Sequence, residues 1–206
     1  MHISDGVLPG FVAAAGYILT LGLTGILIRK IDGEALPRIS VVTAIFFVAS
    51  LIHIPLGITS IHLILNGLVG ILLGWDAFVS IFLGVTLQTL LFQHGGLTTI
   101  GINTAMMGIS ALIGAAVFDM RRYFINEHNL KLINLLFGGF VGALCIIISA
   151  FILSFLLMSS GENFLIVSRY ALLAQLPLMI GEGLICAFVA SFLSTVKPEL
   201  LERRRG

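Results

Sequence analysis

Polar positions divide the chain into seven apolar runs, near residues 11–28, 39–54, 62–73, 77–92, 101–118, 134–158 and 168–196. A membrane-spanning helix needs about 20 apolar residues, with a range of roughly 17–25. Six runs approach or exceed that length; the run at 62–73 falls short. A run that short is a re-entrant segment, a short helix buried inside a bundle, or a crossing completed by its neighbours.

The basic residues separate these readings. With seven crossings and the N-terminus outside, Arg29, Lys30, Arg38, Arg121, Arg122, Lys131, Lys197, Arg203, Arg204 and Arg205 all fall on the inner side, and Arg169 alone falls outside. Basic residues concentrate on the cytoplasmic side of membrane proteins. If the run at 62–73 did not cross, Arg29, Lys30 and Arg38 would face away from Arg121, Arg122 and Lys131. The pattern predicts an all-α, polytopic helical bundle of seven transmembrane helices with the N-terminus outside. Two outer connections follow, near residues 55–61 and 93–100, with no acidic or basic residue apart from histidine. Pro55, Gly57, Gly95 and Gly96 mark them as turn-rich rather than long and solvated. The inner stretch 119–133 reads as an ordinary solvated loop. Small residues four apart, Gly70/Gly74 and Gly138/Gly142, permit close helix approach.

Composition agrees. The 206 residues are 58% hydrophobic and 10% charged, with a mean hydropathy of +1.13. Soluble domains carry roughly 25% charged residues. The net charge of +1 offers nothing to nucleic acid. Cys145 and Cys186 lie in apolar runs and read as packing residues. A basic leader region is missing and apolar sequence begins near Phe11, so no signal peptide is expected and Met1 is expected to be retained. No Walker A loop, HExxH or GxSxG is present, so ATP hydrolysis is expected in partners and this chain is not expected to be an enzyme.

The polar residues that remain gather on the outer side. The chain begins Met1-His2-Ile3-Ser4-Asp5-Gly6. The α-amine of Met1, the amide nitrogen of His2 and the imidazole of His2 can close two adjacent chelate rings around one metal. Three such nitrogens are nearly coplanar, and one more imidazole completes a tetragonal site of the kind Ni(II) and Cu(II) prefer; cobalt stays open. His53, His62 and His94 lie on the same side and are candidates for that imidazole, since ionisable residues at membrane depth are functional by default. Pro9-Gly10 supplies a turn that folds residues 1–8 back into the bundle. Asn66, Asn103, Thr59, Ser60, Gln93 and His94 are available to hold the ligands' other ring nitrogens. Asp5 beside Gly6 reads as a turn cap. Glu182, inside the last run, reads as a partner of Arg169 or as a proton or cation relay. A stand-alone divalent-cation transporter would need acids of that kind, and an intramembrane zinc enzyme would use His53, His62 and His94 with a general base nearby.

The start MHISDGVLP, the stretch GITSIHLILNGLVGILLG at 57–74 and the stretch HGGLTTIGINTAMMG at 94–108 resemble the CbiM/NikM family. These are substrate-binding S components of energy-coupling-factor transporters for cobalt and nickel. The resemblance covers residues 1 to 118 well and the remainder by hydropathy. It implies one membrane-embedded transport domain over residues 1–206, with the tail 1–10 inserted into the bundle. It also implies a metal held by Met1, His2 and His62, with Ni2+ or Co2+ as cargo and no other cofactor. His94 and Asn103 resemble residues that orient those ligands, and His53 and Ser60 are placed for the same work. Implied partners are a transmembrane coupling subunit, a pair of cytoplasmic ATPases, a small auxiliary membrane subunit and the lipid bilayer of the cell membrane. Relatives associated with cobalt often carry an SCSHP segment where this chain reads Thr59-Ser60-Ile61-His62-Leu63, which leaves nickel against cobalt open.

Overall fold

The structure, a computed structural model, describes residues 2–56, 59–126, 128–160 and 164–202, with the backbone alone for 53–56, 59–62, 159 and 164–171. Its α-helices are α1 (Gly10–Ile28), α2 (Leu36–Ala49), α3 (Asn66–Leu73), α4 (Ala77–Phe92), α5 (Ile100–Asp119), α6 (Leu130–Ser159) and α7 (Phe164–Val196). Five stretches among the described residues are long and apolar enough to cross a membrane: Gly10–Ile28, Asn66–Phe92, Leu97–Tyr123, Leu130–Met158 and Leu172–Val196. This is an integral membrane protein built of helices.

The chain is all-helical in class, with one local addition. Two short antiparallel strands, β1 (His53–Leu56) and β2 (Thr59–His62), form a hairpin where a turn-rich connection is predicted. Their register pairs His53 with His62 and Leu56 with Thr59. Leu63 N–H donates to Ile52 O at 3.3 Å and extends the pairing by one residue. Pairing within the hairpin gives the main-chain groups partners, which a bare loop at membrane depth would lack.

The short run at 62–73 becomes the centre of the molecule. Seven of the eight residues of α3 are buried, every one but Leu72. It packs on α2, α4, α5, α6 and α7. Close approach explains its glycines. A Cβ on Gly67 would stand 2.8 Å from Gly142 Cα, and one on Gly70 would stand 2.4 Å from Ala111 O. The spaced pair on α6 serves α7 in the same way: a Cβ on Gly138 would meet Cys186 O at 2.6 Å, and one on Gly142 would meet Glu182 O at 2.7 Å. Small residues let backbones touch where lipid offers no hydrophobic drive.

α1 turns only a narrow stripe inward. Ala13, Gly16 and Thr20 are its buried residues, and Thr20 Oγ1 donates to Gly101 O at 2.7 Å on α5. Phe11, Ile18, Leu21 and Ile26 stay exposed, as a lipid-facing surface requires. The end of the bundle opposite the N-terminal tail is closed by side chains reaching main-chain carbonyls. Arg38 donates to Leu72 O and Leu200 O. Arg121 donates to Leu201 O at 2.5 Å and to Asn134 Oδ1 at 2.9 Å, and lies over the Phe118 ring.

Candidate metal centre

The tail before α1 is part of the core. Ile3 is 2% exposed and Leu8 9%, and both join the cluster that contains Ile64, Val69, Met106 and Met107. Burying Ile3 carries its main-chain N–H and C=O out of water, and each then needs a partner. Asn103, fully buried on α5, supplies both. Its Oδ1 accepts from Ile3 N–H at 2.9 Å, and its Nδ2 donates to Ile3 O at 3.0 Å. Thr99 Oγ1 donates to the same carbonyl at 2.7 Å. One amide side chain thus grips residue 3 from both sides and fixes the backbone leading to His2.

Two residues further along, Asp5 holds the tail to the segment that opens α5. Its carboxylate accepts from Leu97 N–H at 3.1 Å, Thr98 N–H at 2.9 Å and Thr98 Oγ1 at 2.5 Å. The residues 97–99 form a 3-10 turn, so Asp5 caps it from a distant part of the chain, as anions favour the free N–H groups at a helix start. The Thr98 hydroxyl bond holds the Asp5 carboxyl below its ordinary value, against a smaller opposing push from burial.

The glycine pair before that turn makes room for the tail. Gly95 has φ +83, a conformation that favours glycine, and a Cβ there would stand 2.8 Å from Asn103 Nδ2 and 3.5 Å from His2 Cβ. A Cβ on Gly96 would stand 2.1 Å from the Asp5 carboxylate. The stretch His94-Gly95-Gly96 is therefore the seat of residues 2–5.

His2 itself lies between α4 and this seat. Its Nε2 is 3.0 Å from Gln88 Oε1, and its ring centroid is 6.0 Å from that of His94. His94 is held by its main chain: its N–H donates to Gln88 O at 3.3 Å, and its carbonyl accepts from Thr89 Oγ1 at 3.0 Å. His2, His94 and Asn103 are thus brought together at one end of the bundle. Met1 lies outside the described residues, and so do the side chains of His53, Ser60 and His62. What the backbone places is their strand register, with His53 opposite His62. Among the described residues no three His, Cys, Asp or Glu side chains form a set able to hold a metal.

One residue of this region escapes the sequence reading and a second is misassigned by it. Gln88 is 1% exposed and is the one amide side chain in the apolar run 77–92. A lone amide at membrane depth was the available signal. Glu182 is the second, and its expected pairing with Arg169 does not fit. Both lie on the unbroken helix α7, with more than three turns between them. Glu182 is fully buried, and its Oε1 accepts from Ile64 N–H at 2.5 Å and Leu65 N–H at 2.7 Å. Those amides belong to the bend between β2 and α3, where Leu65 takes a left-handed φ of 60. Glu182 therefore fixes the chain immediately after His62.

Comparison with known proteins identifies the family. A family model described as CbiM, the cobalt uptake substrate-specific transmembrane region, matches residues 2–200. A putative metal transport protein of Haemophilus influenzae is 32% identical, covering 98% of each chain. A putative fused nickel transport protein NikMN of Archaeoglobus fulgidus is 30% identical over 99% of this chain and 69% of its own length. A crystal structure of a transition metal transporter superposes with a TM-score of 0.76 at 24% identity, covering 95% of this chain and 93% of that one, and shares the fold. The chain belongs to the CbiM family of cobalt and nickel transport proteins.

Proposed function

We propose that this chain is the substrate-capturing membrane subunit of an energy-coupling-factor importer, taking Ni(II) or Co(II) from the outer face of the cell membrane. The metal is held by the α-amine of Met1, the amide nitrogen and imidazole of His2, and the imidazole of His62. The observation that carries this reading is the grip of Asn103 and Thr99 on Ile3. A tail that served only as a frayed terminus would not have its third residue buried and bonded through both main-chain groups. Holding residue 3 fixes the direction of the main chain at residue 2, where a chelating amide must lie.

The same reading takes the chain through the membrane seven times as one domain, with the N-terminus outside. α3 alone is about 12 Å long, at 1.5 Å per residue. The strand β2 before it adds about 13 Å over residues 59–62, at roughly 3.3 Å each. Residues 63–65 join the two, and strand, bend and helix in series make one crossing of the ~30 Å hydrocarbon core. Energy comes from a transmembrane coupling subunit and a pair of ATPases, with a small membrane subunit completing the complex.

Equilibrium binding of Ni(II) and Co(II) to purified protein tests this. His62→Ala should weaken binding by 10-fold or more while the protein stays folded. His128→Ala, an exposed position between α5 and α6, should leave it unchanged. Equal affinities for the two variants would remove His62 from the site.

A further inference from the structure

We propose that Gln88 selects the tautomer of His2, and through it the ring nitrogen that meets the metal. The assignment rests on the reading of His2 as a ligand given above. A histidine that binds one metal through its own amide nitrogen and its ring must use Nδ1. The chelate ring then runs from metal to amide nitrogen, Cα, Cβ, Cγ and Nδ1, and closes without strain. Nε2 points away on the far side of the imidazole and cannot close it. A neutral imidazole carries one N–H and one lone pair, so the ligand is competent only with its proton on Nε2.

The structure places an acceptor at that proton. Gln88 Oε1 lies 3.0 Å from His2 Nε2. A carbonyl oxygen has no hydrogen to give, so the bond forms only when Nε2 is the donor. Gln88 is itself immobilised. It is 1% exposed on α4, and its main-chain carbonyl accepts from His94 N–H at 3.3 Å in the turn that leaves the helix. The tail reaches this acceptor because Asn103 sets residue 3 and Gly95 leaves space beside His2 Cβ. Fixing the proton on the outer nitrogen also raises the basicity of the inner one, as partners of metal-bound histidines generally do. Gln88 is a positioning residue that never touches the metal.

Two measurements test the assignment. The first is nitrogen NMR of the metal-free protein with isotope-labelled histidine, which reads the tautomer of His2 directly. The wild-type ring is expected as Nε2–H, and Gln88→Met, of similar shape but without the acceptor, is expected to lose that bias. A wild-type ring protonated at Nδ1 overturns the proposal. The second is Ni(II) affinity. Gln88→Met should weaken binding by about 10–100-fold, the usual cost of removing such a partner. Gln88→Glu, which offers an acceptor in the same place, should restore most of it. Wild-type affinity in Gln88→Met, or weaker binding in Gln88→Glu than in Gln88→Met, contradicts the proposal. One residue added before Met1 provides the control. If that chain binds Ni(II) as tightly as wild type, the reading of His2 as a chelating ligand fails as well. If it loses binding while Gln88→Met does not, only the role of Gln88 fails.

Discussion

Asn103 bonds both main-chain polar groups of Ile3, so the placement of residue 2 depends on one side chain 100 residues away in sequence. Asn103→Ala should lower metal affinity by about 10–100-fold and lower the thermal midpoint modestly, since the Ile3 N–H and C=O would remain buried with fewer partners. Calorimetric titration with Ni(II) checks the first and a melting curve in detergent the second. Gly96→Ala should act on the same seat from the other side. The added carbon would overlap the Asp5 carboxylate and force it off its three bonds to residues 97–98. The effect of pH follows from which groups titrate. Asp5 has its carboxyl held below its ordinary 3.8, so its contribution is complete above that value and is lost only as pH falls through the depressed one. Between pH 8 and 5 it stays ionised. The proposed ligands do not: an α-amine titrates near ~7.7–8.0 and an imidazole near ~6.5, and protons compete with the metal for both. Affinity measured across that range should fall steeply, by more than one proton's worth. A flat affinity would mean that carboxylates or carbonyls hold the metal.

At the scale of elements, hydropathy located each helix but could not say what the short one was for. The runs at 11–28, 77–92 and 101–118 correspond to α1, α4 and α5 within two residues at either end. Long apolar stretches leave little choice to a chain in lipid. The hairpin β1–β2 was not legible, because four-residue strands with Pro55 and Gly57 between histidines look like any turn-rich connection. Glu182 was misread for a related reason. Its partners are the main-chain amides of Ile64 and Leu65, and a main-chain partner leaves no mark in sequence. Glu182→Ala would leave two buried N–H groups without an acceptor, each costing about 1–3 kcal/mol. It should lower the melting temperature clearly and weaken metal binding through the bend beside His62. Glu182→Gln keeps one acceptor oxygen and should recover much of both. A Glu182→Ala protein as stable as wild type would contradict the role given to this carboxylate.

For the whole molecule, α2 and α4 to α7 form a shell around α3, with the tail packed into one end and Arg38 and Arg121 fastening the C-terminal residues 200–201 at the other. The proposed topology has the tail outside and the stretch between α5 and α6 inside, following the distribution of basic residues. Cysteine introduced at Asn126, in a chain lacking Cys145 and Cys186, should resist an impermeant thiol reagent applied to intact cells and react once the membrane is opened. The proposed donors at the chain start were legible from the residues themselves, because Met1-His2 sets an amine, an amide and an imidazole in chelating order, while the choice of His62 over His53 and His94 depended on resemblance; any protein has an amine and an amide at its start, and only register makes them ligands. Register is therefore what the most direct measurement should alter. A single Ala placed before Met1 moves the amine out of chelating position and leaves every side chain intact. Ni(II) and Co(II) affinity of that protein, compared with wild type and with a chain tagged after Gly206, decides the matter. The account predicts that the N-terminal insertion abolishes capture and the C-terminal tag does not. Wild-type affinity in the extended chain would contradict it and return the site to His53, His62 and His94.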